Sequence, residues 1–414
     1  MNEAKQKFRL TSLERAWILY DVGNSAFVLL VATLIPIFFN ALAEGGGLSS
    51  VEYLAYWGYA ASAVTVITAV LSPILGTLAD TRNFKKPIFT FCVAVGVIGC
   101  CAMGMASTWL PFLLIFIFAK VGFSGSLVFY DSMLSDVTVP DRMDEVSSKG
   151  YAWGYIGSCV PFVVCLALVL GAGSIGISQM TALNLALFIT AAWWLVTTLP
   201  LLRQYKQVHF VEVQEHAIRQ SFARIGHTLR HLKEDRQVFW FLLAFFCYID
   251  GVYSIIDMAT AYGTALGLDT TGLLLALLVT QIVAFPSALV FGRLSGQYPS
   301  GTLIPVCIAA YAGIALFAFF LKHQWQFWVL AVVVGMFQGG IQALSRSHFA
   351  KIIPPEKSGE YFGLFDICGK GASFLGTMIV SVGSQLTGSA NVGVGSLIVL
   401  FIVGFVLFRV SDRK

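Results

Sequence analysis

The chain has 414 residues, of which 57% are hydrophobic and only 12% charged, with a formal net charge of +4. Soluble domains carry roughly 25% charged residues, so a soluble fold of this length could not cover its surface with so few. A bilayer solvates apolar surface directly; the composition excludes a soluble enzyme or nucleic-acid binder, and the positive charge matters through where it sits.

A hydrocarbon core of about 30 Å takes about 20 apolar residues of helix. Twelve segments meet that length: roughly Ala16–Ala43, Tyr53–Ala79, Pro87–Ala106, Trp109–Ser135, Lys149–Leu170, Gln179–Leu202, Val238–Gly263, Thr271–Leu294, Thr302–Leu321, Trp325–Ser347, Glu360–Leu386 and Asn391–Phe408. The first run is too long for the apolar region of a cleavable signal peptide and reads as a spanning helix. Pro36, Pro73, Pro161 and Pro286 are expected to kink their helices. With the N-terminus placed inside, 23 of the 26 lysines and arginines fall on the inner side, Lys322 alone falls outside, and Lys120 and Lys370 lie within helices. This asymmetry fixes the count, because losing one helix would invert every later loop. The expected setting is a bacterial plasma (inner) membrane with both termini cytoplasmic.

The longest run that is not strongly apolar is Leu201–Val238. It divides the chain into an expected six-helix bundle over residues 1–202, a cytoplasmic linker over 203–237 and a second six-helix bundle over 238–414. Within the linker, Phe222, Ile225, Leu229 and Leu232 recur at spacings of three and four between basic residues. That pattern predicts a basic amphipathic helix over Gln220–Lys233, lying on the inner membrane surface. The halves echo each other. PILGTLADTRNFKKP after the second segment parallels VFGRLSGQYPSG after the eighth, and VPDRMDEVSSKGYAWGYIG parallels PPEKSGEYFGLFDICGKG. The fold expected is all-α: twelve transmembrane helices in two pseudo-symmetric bundles, as transporters often have.

A charge near the bilayer centre costs about 2.5–3.5 kcal/mol on insertion scales, so its presence calls for a function or a partner. The charges inside helices are Asp21, Lys120, Asp131, Asp250, Asp257, Asp366 and Lys370; the third, sixth, ninth and twelfth segments have none in their interiors. Those four are expected to face lipid while the others line a water-filled path. Lys120, Asp250 and Lys370 fall near mid-membrane by residue count, where transporter sites usually lie. There the lysines suit an anionic group, and Asp250 a cationic group or a proton. Structural readings stand beside these: Asp366 and Lys370, four apart, can neutralise each other, and Lys120 can pair with Asp250. Tyr20, Asn24 and Gln338, the last among Gly335, Gly339 and Gly340, complete the expected substrate-binding set. Asp21 and Asp131 sit nearer the inner face and are candidates for gating. The eight cysteines all lie in apolar blocks without metal spacing and read as packing residues, and the six histidines form no HExxH-type cluster. No cofactor is expected, and no nucleophile–base set points to an enzyme.

Gly76, Asp80, Lys85 and Lys86, in GTLADTRNFKKP, resemble the loop signature of the major facilitator superfamily, with Thr81, Asn83 and Phe84 departing from it; after the eighth segment Gly292 is kept but Gly296 replaces the acid. WILYDVGNSAF, YIDGVYSI, GGIQALSRSHFAKIIPP and YFGLFDICGKGASFLG resemble the vacuole-effluxer-like branch, with departures at Val22, Gly23 and Ile249. The resemblance implies a monomeric transporter of small solutes by alternating access, gated by Asp80, Lys85, Lys86 and, in the third of these stretches, Arg346. An amino acid or peptide-like substrate is favoured, with a proton as a candidate coupling ion. An organic anion or phosphorylated metabolite is the alternative, and a non-transporting sensor or scaffold acting through the linker is the rival from another class.

Overall fold

A computed structural model describes residues 9–212, 230 and 232–412, apart from the side chains of 50, 51, 53, 54, 260, 261, 264, 265, 270, 271, 274 and 370–374. Among the described residues there is no strand, only an isolated bridge between Thr81 and Val211. Helices satisfy their own backbone polar groups, which hydrocarbon demands.

The first segment is two helices, α1 (Ser12–Ala32) and α2 (Leu34–Gly45). Pro36 explains the break, since its ring abuts the carbonyl four residues back, that of Ala32, and it has no N–H to offer. The Thr33 hydroxyl takes over the Leu29 carbonyl at 2.6 Å. There follow α3 (Ser50–Ala79), α4 (Lys85–Met103), α5 (Trp109–Ser132), a short α6 (Leu134–Val137), α7 (Pro140–Leu170) and α8 (Gln179–Gln204). After the linker come α9 (Arg236–Ala265), α10 (Thr270–Leu294), α11 (Ser300–Phe319), α12 (Gln324–Ile352) and α13 (Ser358–Thr387). The last segment is again split, into α14 (Ala390–Gly395) and α15 (Ile398–Ser411). Pro73, Pro161 and Pro286 lie inside unbroken helices. Among the described residues, 11 spans are long and apolar enough to cross a membrane. The 30-residue α13 occupies the place of the remaining expected segment. Most of the expected amphipathic helix, Gln220–Lys233, lies outside the described residues.

The fifth helix begins at Pro140, not at Lys149. The polar stretch before Lys149 is helical because proline suits the first turn and its charges find partners. Arg142 binds Glu14 at 2.6 Å, Lys149 binds Glu145 at 2.7 Å, and Lys351 binds Asp144 at 2.6 Å. Glu14 is itself fixed by a capping box with Thr11 and accepts from the Thr138 hydroxyl at 2.7 Å. Glu14→Ala is therefore expected to destabilise the protein by about 1–3 kcal/mol, as loss of a buried charged acceptor does; a drop in Tm in detergent checks it, and an unchanged Tm would show these bonds to be incidental.

In the first half α1 packs on α7 and α8, and α4 on α5 and α8; in the second, α9 packs on α13 and α15, and α10 and α11 on α12. The principal crossings between halves are α3 with α13, and α7 with α10 and α12. The four helices without interior charge, α4, α8, α11 and α15, take no part in those crossings and present exposed apolar side chains such as Phe91, Val196, Val306 and Ile402. Such surface is what lipid contact requires.

Candidate gate and substrate path

The backbones of α3 and α13 meet across glycine. A Cβ on Gly76 would lie 2.2 Å from the Gly359 carbonyl oxygen, and one on Gly363 would lie 2.8 Å from that of Ser72. Only residues without a side chain permit this approach. At the end of α3, the fully buried Asp80 accepts the backbone N–H of Gly359 at 2.7 Å and of Glu360 at 2.9 Å. Because α13 starts at Ser358, these are first-turn amides with no acceptor in their own helix. A carboxylate from one half thus caps a helix of the other, favoured by the helix dipole. In the other crossing, a Cβ on Gly292 of α10 would come 2.8 Å from Ser148 of α7. There α7 begins more than two turns upstream of Ser148, so its amides are already satisfied. Gly296, standing where the acid would be, has no side chain with which to cap a helix.

Arg346 of α12 forms another group of contacts between the halves. It is buried, and its Nε donates to Ser147 Oγ at 2.9 Å, its Nη2 to Ser147 O at 3.0 Å and its Nη1 to Asp131 Oδ1 at 3.0 Å. Asp21 Oδ2 stands 3.6 Å from Nη2. The guanidinium carbon lies 4.7, 5.4 and 4.3 Å from the ring centres of Trp17, Tyr130 and Tyr151, within cation–π range. Asn24 donates to the Tyr20 carbonyl at 3.1 Å and to Asp21 Oδ1 at 3.5 Å, so it borders this cluster. Gly150 makes room, since a Cβ there would come 3.0 Å from Asp21 Oδ2 and 3.1 Å from Nη2. Further along the same crossing Ser147 Oγ donates to the Ala343 carbonyl at 2.8 Å, and the Tyr155 hydroxyl to Gln342 at 2.7 Å.

Lys85 joins the two carboxylates that organise this end. It is fully buried, with Nζ 3.7 Å from Asp80, 3.8 Å from Asp136 and donating to Ser358 Oγ at 2.9 Å. Asp136 also accepts from the Tyr205 hydroxyl at 2.5 Å, the Val208 amide at 3.3 Å and the His209 amide at 2.8 Å, with His209 Nδ1 at 3.0 Å. Burial, with the Asp136 carboxylate beside it, holds the Tyr205 phenol well above its ordinary range, so it stays a donor. Lys86 is half-buried and, among the described residues, forms no ion pair.

The remaining expected site residues are more dispersed. Lys120 is half-buried over the faces of Phe123 and Phe27, at 4.7 and 5.9 Å. Asp366 accepts from Ser72 Oγ at 2.8 Å. Asp250 is fully buried within the second half, accepting from the Gly376 amide at 2.8 Å and Ser254 Oγ at 3.3 Å. Tyr20 packs inside the first half and donates to Ser126 at 2.6 Å. Gln338 lines an apolar cavity of about 50 Å³ inside the second half with Ser254, Thr280 and Gln281. The Lys370 side chain lies outside the described residues. Of the expected set, then, Asp21, Asp131, Asn24 and Arg346 share one cluster, and Asp80 and Lys85 share another. Trp17, Tyr151, Ser147 and Asp136 were missed. Tyr151 and Ser147 sit in one of the two echoing stretches, which was a usable signal; Asp136 stands just beyond the fourth apolar segment, in the short helix α6, and no pattern there singled it out.

The family model described as vacuole effluxer Atg22 like matches residues 12–138 and 135–414. The chain is 42% identical over 404 residues to the uncharacterized MFS-type transporter YxiO of Bacillus subtilis (strain 168), covering 96% of this chain and 94% of that one. It is 25% identical over 315 residues to Autophagy-related protein 22 of Coccidioides immitis (strain RS), where the match spans 65% of this chain and about half, 51%, of the fungal protein. The crystal structure of the human organic anion transporter MFSD10 (TETRAN) matches with a TM-score of 0.74 over 96% of this chain and 98% of that one, at 13% identity, a likeness of fold. By family match and by fold together, the chain belongs to the vacuole effluxer Atg22-like family and is a membrane transporter of the major facilitator type.

Proposed function

We propose that the protein is a secondary active transporter of a small organic solute, working by alternating access as a monomer. Residues 1–202 and 238–414 are the two rocking units, joined by the linker 203–237, and the end carrying the gate is cytoplasmic. The observation that carries this reading is the character of the contacts between halves. They include glycine crossings, a carboxylate on helix amides, a caged guanidinium and a few side-chain hydrogen bonds and ion pairs such as Lys351 with Asp144, all of which can be made and broken without opening either half's apolar core. The basic residues concentrate at that end, which supports its cytoplasmic placement.

An amino acid or peptide-like solute fits best. Charges of both signs lie within the spanning helices, with carboxylates at Asp21, Asp131 and Asp366 and an ammonium at Lys120; the match to a family described as vacuole effluxers supports the movement of a solute. The lysines favour an organic anion as the second reading. Lys120→Ala and Lys370→Ala are each expected to reduce uptake into proteoliposomes more than tenfold while leaving folded protein in the membrane. Normal transport by both variants would end the assignment of an anionic-group site. A thermal-shift screen of metabolite classes at two pH values, repeated in the Lys370 variant, separates the two substrate readings.

A further inference from the structure

The cage around Arg346 is built by one half and filled by the other. Trp17, Asp21, Tyr130, Asp131 and Tyr151 all belong to α1, α5 and α7, while Arg346 belongs to α12. Two carboxylates face a single guanidinium, so the cage brings two acidic side chains to one basic one. When α12 withdraws, both carboxylates remain in an aromatic pocket with no cation. The cage is not sealed, since the Asp131 side chain keeps 20% of its surface accessible. Three aromatic faces and two carboxylates around a planar cation form a recognition site for guanidinium or alkylammonium groups, and Arg346 shows the geometry in use. The two features are independent: ring faces select a diffuse cation over a neutral group of the same shape, and the carboxylates add charge.

We propose that this cage is a binding site for the cationic group of a small solute, and that Arg346 is its tethered occupant while the cytoplasmic side is closed. The proposal rests on the alternating-access reading and deepens it. A solute's cation and Arg346 compete for one position, so a bound cation holds the gate open and a departing one lets Arg346 re-enter. Binding of such a solute is then linked to opening through differential affinity for the two states. Gly150 serves both occupants, because a side chain there would fill the space beside Asp21 and the guanidinium.

The probe is methylguanidinium, with N-methylurea as its neutral counterpart of similar shape, titrated calorimetrically against the full chain in detergent. Arg346→Ala, which empties the cage, is expected to bind methylguanidinium at least tenfold more tightly than N-methylurea and at least tenfold more tightly than the wild type does. Adding Asp131→Asn to it is expected to weaken that binding at least tenfold. Should Arg346→Ala fold poorly, Arg346→Gln removes the charge while keeping bulk. A folded variant that treats the two probes alike, or binding indifferent to Asp131→Asn, overturns the proposal. In the wild type, saturating methylguanidinium is expected to speed amide hydrogen exchange at Gly359 and Glu360 at least twofold, an effect absent in Asp131→Asn. Binding by the variant without that response in the wild type overturns the competition between Arg346 and solute. If neither assay responds while wild-type proteoliposomes still carry solute, the transport reading stands and the cage assignment falls.

Discussion

Gly76→Val is expected to abolish transport, by tenfold at the least, while leaving the protein folded and inserted. The reason is the position of the missing side chain. A Cβ at residue 76 would lie 2.2 Å from the carbonyl oxygen of Gly359 and 2.8 Å from its carbonyl carbon. Both are backbone atoms and cannot rotate away. A Cβ on Gly359 would in turn meet Gly76 O at 2.4 Å and Asp80 Oδ1 at 2.7 Å. The only relief is separation of α3 from α13, which pulls Asp80 off the amides it caps. Since that contact lies between the halves, each bundle keeps its own packing. The variant should therefore be held with its cytoplasmic side open, showing faster exchange at Gly359 and Glu360 and no return stroke. Gly58→Val is the control: it lies on the same helix, where a Cβ meets nothing within 4 Å, and should transport normally. If Gly76→Val transports as well as Gly58→Val, the close crossing is not part of the cycle.

How much of this could be read from the chain follows from what each signal measures. Hydropathy counts apolar length, so it placed the spanning helices well, and the four segments without interior charge do stay out of the principal crossings between halves. It could not see that Pro36 would split the first span at Ala32, because a proline tells where an amide is missing and not whether neighbours will bridge the gap; Pro73, Pro161 and Pro286 leave their helices whole. It also read the polar run before Lys149 as a loop. The partners that make that run helical, Glu14 and Lys351, are distant in sequence. The charge census found Asp21 and Asp131 as costly groups near the inner face, while Arg346 entered separately, counted among the basic residues of the inner side and standing in a stretch that carries the family resemblance. Their convergence on one cage depends on α12 crossing α7, which no local pattern encodes. The glycines around Gln338 suggested close approach, and Gly339 and Gly340 do abut Ala288 and Phe291, but the same stretch continues to Arg346, which carries the polar contact.

Lys85→Met is expected to loosen the gate and the linker together. Lys85 is inaccessible to solvent and lies between Asp80 and Asp136, themselves buried. Removing one partner from a buried ion pair typically costs about 3–5 kcal/mol, because the remaining charge is left uncompensated. Here two carboxylates are left, each with amide or hydroxyl donors that offset part of the cost. A cost at the lower end, about 3 kcal/mol, still moves a two-state equilibrium by roughly two powers of ten. Asp80 would then hold α13 less firmly, and Asp136 would hold Tyr205, Val208 and His209 less firmly. Exchange at Gly359 and Glu360 should rise in step with exchange at Val208 and His209. Adding Asp136→Asn removes one of the two stranded charges and should recover part of the stability lost, a positive coupling in a double-mutant cycle. Exchange rising at only one of the two places would mean that the linker's first residues rest on the gate without sharing its state. Exchange rising at both would make the start of the linker a reporter of gate position, since the Asp80 carbonyl also accepts the Val211 amide at 2.8 Å and the Val211 carbonyl accepts that of Arg82 at 3.1 Å. The residue that caps α13 with its side chain thus holds the linker with its backbone, and neither can move far alone.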